Sequence, residues 1–428
     1  MQTIFYNANI ITYDKNLPEA EAFLVNDGSI VLVGKNDEVL SMKTDDTVMV
    51  DLQNKTVLPS FYDTNARFYD LIEKEIKNAK LDEFLENNAE IDENYDKFVN
   101  FDTYKNYFLI IQEDYLARGI TTIFEMNVNP KEFTFWKKIS ECDALKIDVI
   151  AFIDITQNKD IMDNNCRSYR KYKKHFRIGG YYVKIDDELI TKKAWLKKPY
   201  KNEHSYLGYT TFVDEHLTFI IKTGLEEKKQ FVFEANGDNA LEQLIRCFKE
   251  NVKDKDDLDK FKPIIKNCNF ISKNNLKELK NLELTPSFQI NDISNNAVDY
   301  KKSLGCIRAS KIQPIKSVLD NGIKFLLHSD KNTVPNVFDM TFSAMNRVYD
   351  KNKVLGKKQK ITFDEALNSL ITNSSEFAFD AGFKGSIENG KKANFVVLSN
   401  SLEEIKEKKL LDVIDKTYIE GEEVFKNN

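Results

Sequence analysis

Short apolar runs alternate with amphipathic, helix-like stretches along the middle of the chain, and this alternation constrains the fold more than any other feature. The runs with strand character are residues 120–126, 147–155, 181–185, 231–235, 267–271, 285–290 and 324–328. Amphipathic stretches such as residues 240–250 and 274–280 follow several of them. Strand–helix alternation predicts an α/β fold with a parallel sheet, and over roughly 320 residues the sheet closes most economically as a (β/α)8 TIM barrel.

Both ends of the chain instead show short strands separated by turns. Asn26-Asp27-Gly28-Ser29 is a strong two-residue hairpin signal, and residues 394–399 and 413–419 repeat the pattern near the C-terminus. We therefore predict that residues 1–58 and 383–428 form one composite β-sandwich domain. Residues 59–382 would form the barrel, with a helical insertion at about 72–106, where Glu, Asn and Lys are abundant.

Composition excludes several classes of partner. The 62 Lys+Arg and 68 Asp+Glu residues give a net charge of −6 without any concentrated basic stretch, so neither nucleic acid nor an anionic membrane surface is expected. No apolar run reaches the ~18 residues of a membrane span, and the N-terminus shows no signal-peptide pattern. The five cysteines form no CxxC pair, so reduced thiols are expected. A cytoplasmic location is expected.

A series of motifs runs in order along nearly the whole chain. They occupy residues 26–34, 50–64, 117–122, 183–185, 234–238, 304–308, 328–330, 362–372 and 385–398. Together they resemble the amidohydrolase superfamily, and most closely its amidohydrolase family 3 branch. The resemblance implies a (β/α)8 barrel with a composite β-sandwich. It also implies hydrolysis of carbon–nitrogen bonds other than peptide bonds, by water that is activated by one or two divalent metals such as zinc.

The metal ligands that the resemblance implies are mostly replaced in this sequence. The family uses a His-x-His pair, a lysine, two single histidines and an aspartate at the C-terminal mouth of the barrel. In chain order these positions fall on Asn65 and Arg67, on Lys184, on Glu234 and a position near Asn267, and on Asp330. No cofactor is therefore expected. A metal, if bound, would be held by Asp330, Glu234, Lys184 and His328.

Asp330, Lys184 and Glu234 are the candidate catalytic residues, as an acid/base and charge cluster. Buried carboxylates without a counter-charge cost several kcal/mol. A guanidinium in place of the metal would offset that cost through bidentate hydrogen bonds. We therefore hypothesise a cluster of Arg67 with Asp330 and Glu234; the alternative is that Arg67 turns to solvent at the mouth.

Asn65, Arg67, Arg308 and His328 are the candidate substrate-binding residues. Arg308 lies in a Leu-Gly-x-x-Arg motif and either meets a substrate carboxylate or braces a loop. His328 lies two residues before Asp330, so strand alternation points both side chains to the same face. It either reaches the mouth or is a neutral, hydrogen-bonded histidine inside the barrel.

Two classes of function stay open on the sequence alone. The first is a hydrolase of amide, urea or cyclic-amide bonds that works with an altered or absent metal. The second is a non-catalytic descendant that binds a small molecule or regulates another process. In both cases the expected partner is a small-molecule ligand or substrate, and because similar proteins often form dimers, a homodimer is one expected assembly.

Overall fold

The computed structural model describes residues 2–87, 100–252, 258, 261–330 and 333–427. In chain order the strands in these ranges are β1 (Gln2–Ile11), β2 (Glu19–Ala20), β3 (Ala22–Asn26), β4 (Ser29–Gly34), β5 (Val48–Pro59), β6 (Phe61–Ala66), β7 (Ile120–Val128), β8 (Asp148–Asp154), β9 (Phe176–Lys184), β10 (Gln230–Glu234), β11 (Ile264–Lys266), β12 (Thr285–Gln289), β13 (Leu326–His328), β14 (Val348–Tyr349), β15 (Lys353–Val354), β16 (Phe395–Leu398), β17 (Ile414–Ile419) and β18 (Glu422–Lys426).

Helices follow most of the barrel strands. The α-helices are Asn36–Leu40, Phe68–Asn87, Phe101–Ala117, Pro130–Glu141, Ile155–Asn164, Asp214–Glu227, Asp238–Asn251, Lys273–Asn281, Asp292–Leu304, Cys306–Ala309, Ile315–Asp320, Val337–Asn346, Phe363–Asn368, Ser374–Phe377 and Leu402–Lys408. Within the described ranges, no helix combines the length and the apolar character that a membrane crossing requires.

Strands β6 to β13 form the barrel, each paired in parallel with the next in chain order. Side chains bridge the first and last strands: Thr64 Oγ1 donates to the carbonyl of Leu327 at 3.3 Å, and Asn65 Nδ2 donates to the carbonyl of Ser329 at 3.1 Å. Inward-facing apolar side chains such as Phe152 fill the barrel interior. The predicted (β/α)8 barrel is confirmed.

The two ends of the chain meet in one mixed sheet, in the order β18-β17-β16-β5-β1-β3-β4, with β2 paired to β1. Strand β5 joins the two ends because it pairs with β1 on one side and β16 on the other. The rings of Phe5, Phe23, Phe395 and Tyr418 pack together in stacked and edge-to-face pairs, with centroids 4.5–5.3 Å apart. The predicted joining of both termini in one β-rich unit is confirmed, as a single mixed sheet that is consistent with the predicted β-sandwich. The domain limits at 58/59 and 382/383 stay predictions.

Two strand predictions need correction. Strand β6 was not among the predicted runs, because its Asp, Thr and Asn residues interrupt the apolar pattern. Strand β11 ends at Lys266, so the run predicted at 267–271 is wrong; Asn267 adopts a left-handed φ of 58°, which ends the ladder. Residues 88–99 of the predicted helical insertion lie outside the described residues, and the insertion stays a prediction.

A buried ionic network closes the end of the barrel opposite the mouth. Lys384 Nζ lies 2.7 Å from Asp148 Oδ2 and 2.9 Å from Asp380 Oδ2, and Arg177 Nη2 lies 2.9 Å from Asp380 Oδ1. Asp148 and Arg177 belong to the N-terminal halves of β8 and β9. The network therefore ties the C-terminal segment to the bottom of the barrel, and the mouth remains the accessible face.

Candidate functional site at the mouth of the barrel

The C-terminal ends of the barrel strands surround a cavity of about 300 Å³, here called the mouth cavity. The predicted site residues that line it are Asn65, Arg67, Lys184, Glu234 and Asp330, together with Asn267. Its walls are mostly amides, carboxylates and hydroxyls. Arg308 and His328 do not line it, so the structure brings together only part of the predicted set.

Arg67 follows β6 and points away from Glu234. Its Nε and Nη2 donate to the two carboxylate oxygens of Asp70 at 2.9 and 2.8 Å, and Nη2 also lies 2.8 Å from Glu132 Oε1. Nη1 donates to the carbonyls of Met126 and Asn127. These acceptors occupy the whole guanidinium, so the predicted Arg67–Asp330–Glu234 cluster is wrong.

The elements next to Arg67 along the chain and in space explain which groups it contacts. The helix Phe68–Asn87 begins directly after it, and the backbone N–H groups of Phe68 and Tyr69 donate to the buried carboxyl of Glu125. Glu132 belongs to the first turn of the helix Pro130–Glu141. Arg67 therefore neutralises the junction of two helices. No pattern in the sequence indicated Glu125 or Glu132 as its neighbours.

Glu234 is paired instead with Lys266, a residue that the sequence reasoning missed. The register of the parallel strands places Glu234 between Lys184 on β9 and Lys266 on β11. Lys266 Nζ donates to Glu234 Oε2 at 2.8 Å, and Tyr182 Oη donates to the same oxygen at 2.5 Å. Burial by itself would raise the pKa of Glu234, but Lys266 and Tyr182 lower it to about 2. Glu234 is thus an anion with its own counter-ion.

Lys184 turns outward from the same strand end. Its Nζ lies 2.9 Å from Asp187 Oδ1, and its side chain is 45% exposed. Partial burial opposes the charge, but Asp187 and Glu234 raise the pKa of Lys184. Lys184 is therefore an ammonium at the rim of the cavity.

His328 lies inside the barrel wall, and its side chain is fully buried. Ser287 Oγ is 2.7 Å from its Nδ1 and Asn267 Oδ1 is 3.0 Å from its Nε2. The amide oxygen only accepts, so Nε2 carries the proton and Nδ1 accepts from the hydroxyl. Burial and the nearby Lys266 hold the pKa of His328 well below its usual range. The structure corresponds to the alternative of a neutral, hydrogen-bonded barrel histidine.

Arg308 braces a loop. Its guanidinium donates to the carbonyls of Leu304, Lys198 and Pro199 at 3.0, 3.1 and 2.6 Å. Leu304 ends the helix Asp292–Leu304, whereas Lys198 and Pro199 belong to the loop after β9. Asp186 holds the same loop by accepting a hydrogen bond from the N–H of Trp195, and it also accepts from the N–H groups of two residues after β10. The structure places Arg308 outside the cavity, so its predicted contact with a substrate carboxylate is not what the geometry shows.

Asn65 combines a structural bond with an unused acceptor. Its Nδ2 closes the barrel through Ser329, and its side chain is 2% exposed. Its Oδ1 has no hydrogen-bond partner among the described residues. A buried acceptor of this kind costs free energy unless something donates to it.

Asp292 is, after Lys266, another residue of the cavity wall that the sequence did not indicate. It accepts hydrogen bonds from Gln289 Nε2 at 2.8 Å, Asn296 Nδ2 at 2.9 Å and Tyr300 Oη at 2.5 Å. Burial raises the pKa of Asp292 to about 6, and the charge of Asp330 acts in the same direction. Within the described ranges, no Lys, Arg or His forms an ion pair with Asp292. The signal in the sequence was the Gln-Ile-Asn-Asp run at the end of β12.

Among the described residues, the mouth cavity shows no cluster of side chains arranged as metal ligands. In the part of the chain that the structure describes, no three His, Cys, Asp or Glu side chains are grouped as they would be around a metal ion. The cations in the cavity wall are the side chains of Arg67, Lys184 and Lys266.

Comparison with known proteins agrees with this fold. Residues 68–425 match the family model described as "Amidohydrolase family". In a crystal structure of an uncharacterized metal-dependent hydrolase from Pyrococcus furiosus, the same fold superposes with a TM-score of 0.78 at 16% identity, covering 94% of this chain and 99% of that one. At that identity the likeness concerns the fold alone.

Two curated relatives match parts of the chain. Exoenzymes regulatory protein AepA of Pectobacterium carotovorum subsp. carotovorum is 42% identical over 64 residues, which are 15% of this chain and 14% of that protein. Protein LONG AFTER FAR-RED 3 of Arabidopsis thaliana is 23% identical over 325 residues, which are 72% of this chain and 55% of that protein. The chain thus spans about half the length, or less, of these relatives.

Replacing Arg67 tests the ion pairs at the helix junction. Arg67→Met is expected to lower the free energy of unfolding by about 3–5 kcal/mol, because the buried carboxylate of Glu132 would lose its counter-charge. The matched control is Arg246→Met, since Arg246 makes an exposed pair with Asp214 and should contribute within about 1 kcal/mol. Urea unfolding measures both. Equal, small effects would show that Arg67 neutralises nothing buried.

Replacing Lys266 tests the Glu234 pair through its pH dependence. In the wild type the pKa of Glu234 falls from 4.5 to about 2 on folding, so the pair stabilises fully above pH 4.5 and loses its contribution only as the pH falls towards 2. In Lys266→Met, burial should instead raise the pKa of Glu234. The destabilisation is therefore expected to be about 3–5 kcal/mol near neutral pH.

That destabilisation should shrink as the pH is lowered to about 5, because protonation of Glu234 removes the unpaired buried charge. Urea unfolding at the two pH values measures the change. Lys146→Met, which removes an exposed pair with Glu113, is the control and should show no such convergence. A destabilisation by Lys266→Met that is independent of pH would contradict the assignment.

Proposed function

The chain belongs to the amidohydrolase family, and from that premise we propose that its barrel mouth binds a small polar molecule and does not perform metal-dependent hydrolysis. The observation that carries this proposal is the ion pair between Lys266 and Glu234, 2.8 Å long, in the wall of the mouth cavity. Glu234 stands where the family resemblance implies a metal ligand. A fixed ammonium at that ligand repels a divalent cation and occupies the carboxylate that would bind it.

The other implied ligand positions do not fit a metal either. The guanidinium of Arg67 has no lone pair that could coordinate a metal, and its N–H groups all donate to protein acceptors. Asn65 has a single amide oxygen as a possible ligand. His328 has one nitrogen protonated and the other engaged by Ser287. These groups therefore do not suit a divalent metal.

Metal-free hydrolysis by Glu234 and Asp330 is the alternative that the sequence left open. A general acid must hold a proton at the working pH, and its pKa should lie near that pH. The pKa of Glu234 is lowered to about 2, so this carboxyl is ionised at neutral pH and forms an ion pair with Lys266. Glu234 is therefore unsuited to act as the general acid of a metal-free hydrolysis.

Binding without turnover is compatible with the dimensions of the site. A cavity of about 300 Å³ lies at the small end of ligand pockets and suits a compact molecule. One relative, Exoenzymes regulatory protein AepA, is named as a regulatory protein. A regulatory role for this chain would need only a specific pocket and the loop that Arg308 and Asp186 hold beside it.

A zinc titration tests the proposal. Protein dialysed against a chelator and then titrated calorimetrically with ZnCl2 is expected to show no saturable binding at micromolar concentration. The matched positive control is the triple variant Asn65→His, Glu234→His and Lys266→Ala, which removes the ammonium of Lys266 and adds two imidazoles to the cavity that Asp330 also lines. Stoichiometric zinc binding by the wild type would overturn the proposal.

A hydrolysis screen tests the same proposal independently. Amide, urea and cyclic-amide compounds are expected to hydrolyse at the background rate, with and without added zinc. Turnover that scales with protein concentration and disappears in Glu234→Gln would establish the hydrolase alternative instead.

A further inference from the structure

The buried side chains of Ser287 and His328 fix the orientation of the Asn267 amide. Ser287 Oγ lies 2.7 Å from His328 Nδ1 and has no other hydrogen-bond partner within the described residues, so its hydroxyl hydrogen is donated to Nδ1. In the neutral ring Nε2 then carries the proton, and it donates to Asn267 Oδ1 at 3.0 Å. The ring therefore holds the oxygen of the amide and leaves its NH2 group for another partner.

Asn267 keeps this NH2 group open at the mouth. Nδ2 forms no hydrogen bond within the described ranges and, unlike Asn65 Oδ1, it is not sealed from solvent. The residue is partly buried and lines the mouth cavity. Its left-handed φ of 58°, directly after β11, is a conformation that asparagine tolerates better than most residues do. Asn267 therefore offers a hydrogen-bond donor to a molecule in the cavity.

Asp292 orients Gln289 in the opposite sense. A carboxylate accepts hydrogen bonds and does not donate them, so the Gln289 amide meets Asp292 Oδ1 through Nε2, at 2.8 Å. Its Oε1 forms no hydrogen bond in the part of the chain that the structure describes, and it is also open to solvent. Gln289 lines the mouth cavity as well. It therefore offers an acceptor to the same molecule.

The register of the barrel strands brings the two amides to one place. Lys266, the last residue of β11, pairs with Ser287 on β12, so Asn267 and Gln289 lie at the ends of neighbouring strands, which are about 4.8 Å apart. On the other side Gln289 pairs with His328, the residue that holds Asn267. An open donor and an open acceptor are thus neighbours in the cavity wall.

The ions around these two amides already have partners. Lys266 is paired with Glu234, and Lys184 is paired with Asp187. Asp292 receives three hydrogen bonds from neutral groups, which engage both of its oxygens. The open groups are neutral, and a neutral ligand satisfies them without the cost of taking a charge out of water.

We propose that Asn267 and Gln289 are the specificity-determining pair of the mouth cavity, and that they select an uncharged ligand with an acceptor oxygen beside an N–H donor. Asn267 Nδ2 donates to the oxygen, and Gln289 Oε1 accepts from the N–H. Ser287, His328 and Asp292 are positioning residues, because they act through the two amides. This inference rests on the proposed function and adds the polarity of the group that the cavity recognises.

Probes that share one five-membered ring separate the two hydrogen bonds from charge. The compound 2-pyrrolidinone carries the oxygen and the N–H, N-methyl-2-pyrrolidinone keeps only the oxygen, and pyrrolidinium carries charged donors without an acceptor. Ligand-detected NMR titration is expected to give saturable binding of 2-pyrrolidinone, with each of the other two weaker by roughly fivefold or more. Absence of binding by 2-pyrrolidinone, or equal binding by either of the others, would overturn the inference.

A matched pair of variants tests the donor. Asn267→Asp keeps the shape, tolerates the left-handed φ and still accepts from His328 Nε2, but it replaces the NH2 group with an oxygen. It is expected to weaken 2-pyrrolidinone by roughly tenfold or more. Asn274→Asp, at an exposed position of the helix Lys273–Asn281, should leave the affinity unchanged. Unchanged affinity in Asn267→Asp would overturn the assignment, and the probe series on the wild type decides the matter even if that variant does not fold.

A second pair of variants tests the positioning role of Ser287. Ser287→Ala removes the donor to Nδ1, so the proton of His328 is no longer confined to Nε2, and 15N NMR of the ring is expected to show a mixture of tautomers. The affinity for 2-pyrrolidinone should fall by roughly threefold or more because part of the Asn267 amides reverse. Ser287→Thr keeps a hydroxyl and should preserve both the spectrum and the affinity. A changed tautomer with unchanged affinity would overturn the positioning role.

Failure of this inference and failure of the proposed function give different results. A preference for pyrrolidinium, or no binding of any probe, with no zinc uptake by the wild type, would reject the donor–acceptor pair and leave a metal-independent pocket. Zinc uptake by the wild type would reject the proposed function itself, whatever the probes show.

Discussion

The ion pair between Glu234 and Lys266 determines the charge at the centre of the mouth cavity. The parallel register of the barrel strands brings the two side chains together. Strands β10 and β11 pair with Glu234 opposite Lys266, so both side chains leave the same edge of the sheet at the same height. Neither charge could stay buried alone without a large cost in free energy, and the hydroxyl of Tyr182 completes the arrangement. A site that already contains its own cation favours ligands that do not compete for that carboxylate.

Arg67, like Lys266, forms ion pairs with carboxylates of the protein. Its bonds to Asp70 and Glu132 hold the starts of two helices against the end of β6. Arg67 and Lys266 are thus internal counter-ions, and what remains accessible is a wall of amides and carboxylates.

How far the sequence could predict the site depended on the kind of information each residue carries. Motif positions placed Asn65, Lys184, Glu234 and Asp330 at strand ends, and all four line the mouth cavity because the ends of parallel strands share one edge. Partner choice was predicted badly. Arg67 was matched with Glu234, whereas its partners come from the first turns of two helices whose packing no linear pattern encodes. Lys266 was overlooked because the predicted strand started at residue 267, three residues after the start of β11.

By itself, the sequence determined the family, the (β/α)8 barrel and the joining of both termini in one β-rich unit, because periodic apolar patterns and turn motifs are local properties that survive as the fold is assembled. Only the tertiary structure decided which charges neutralise each other. Ion pairing depends on distances of 3–4 Å between side chains from different strands and helices, and such distances follow from register and helix packing rather than from residue order. The pairings of Glu234 with Lys266 and of Arg67 with Asp70 and Glu132 depend on such distances.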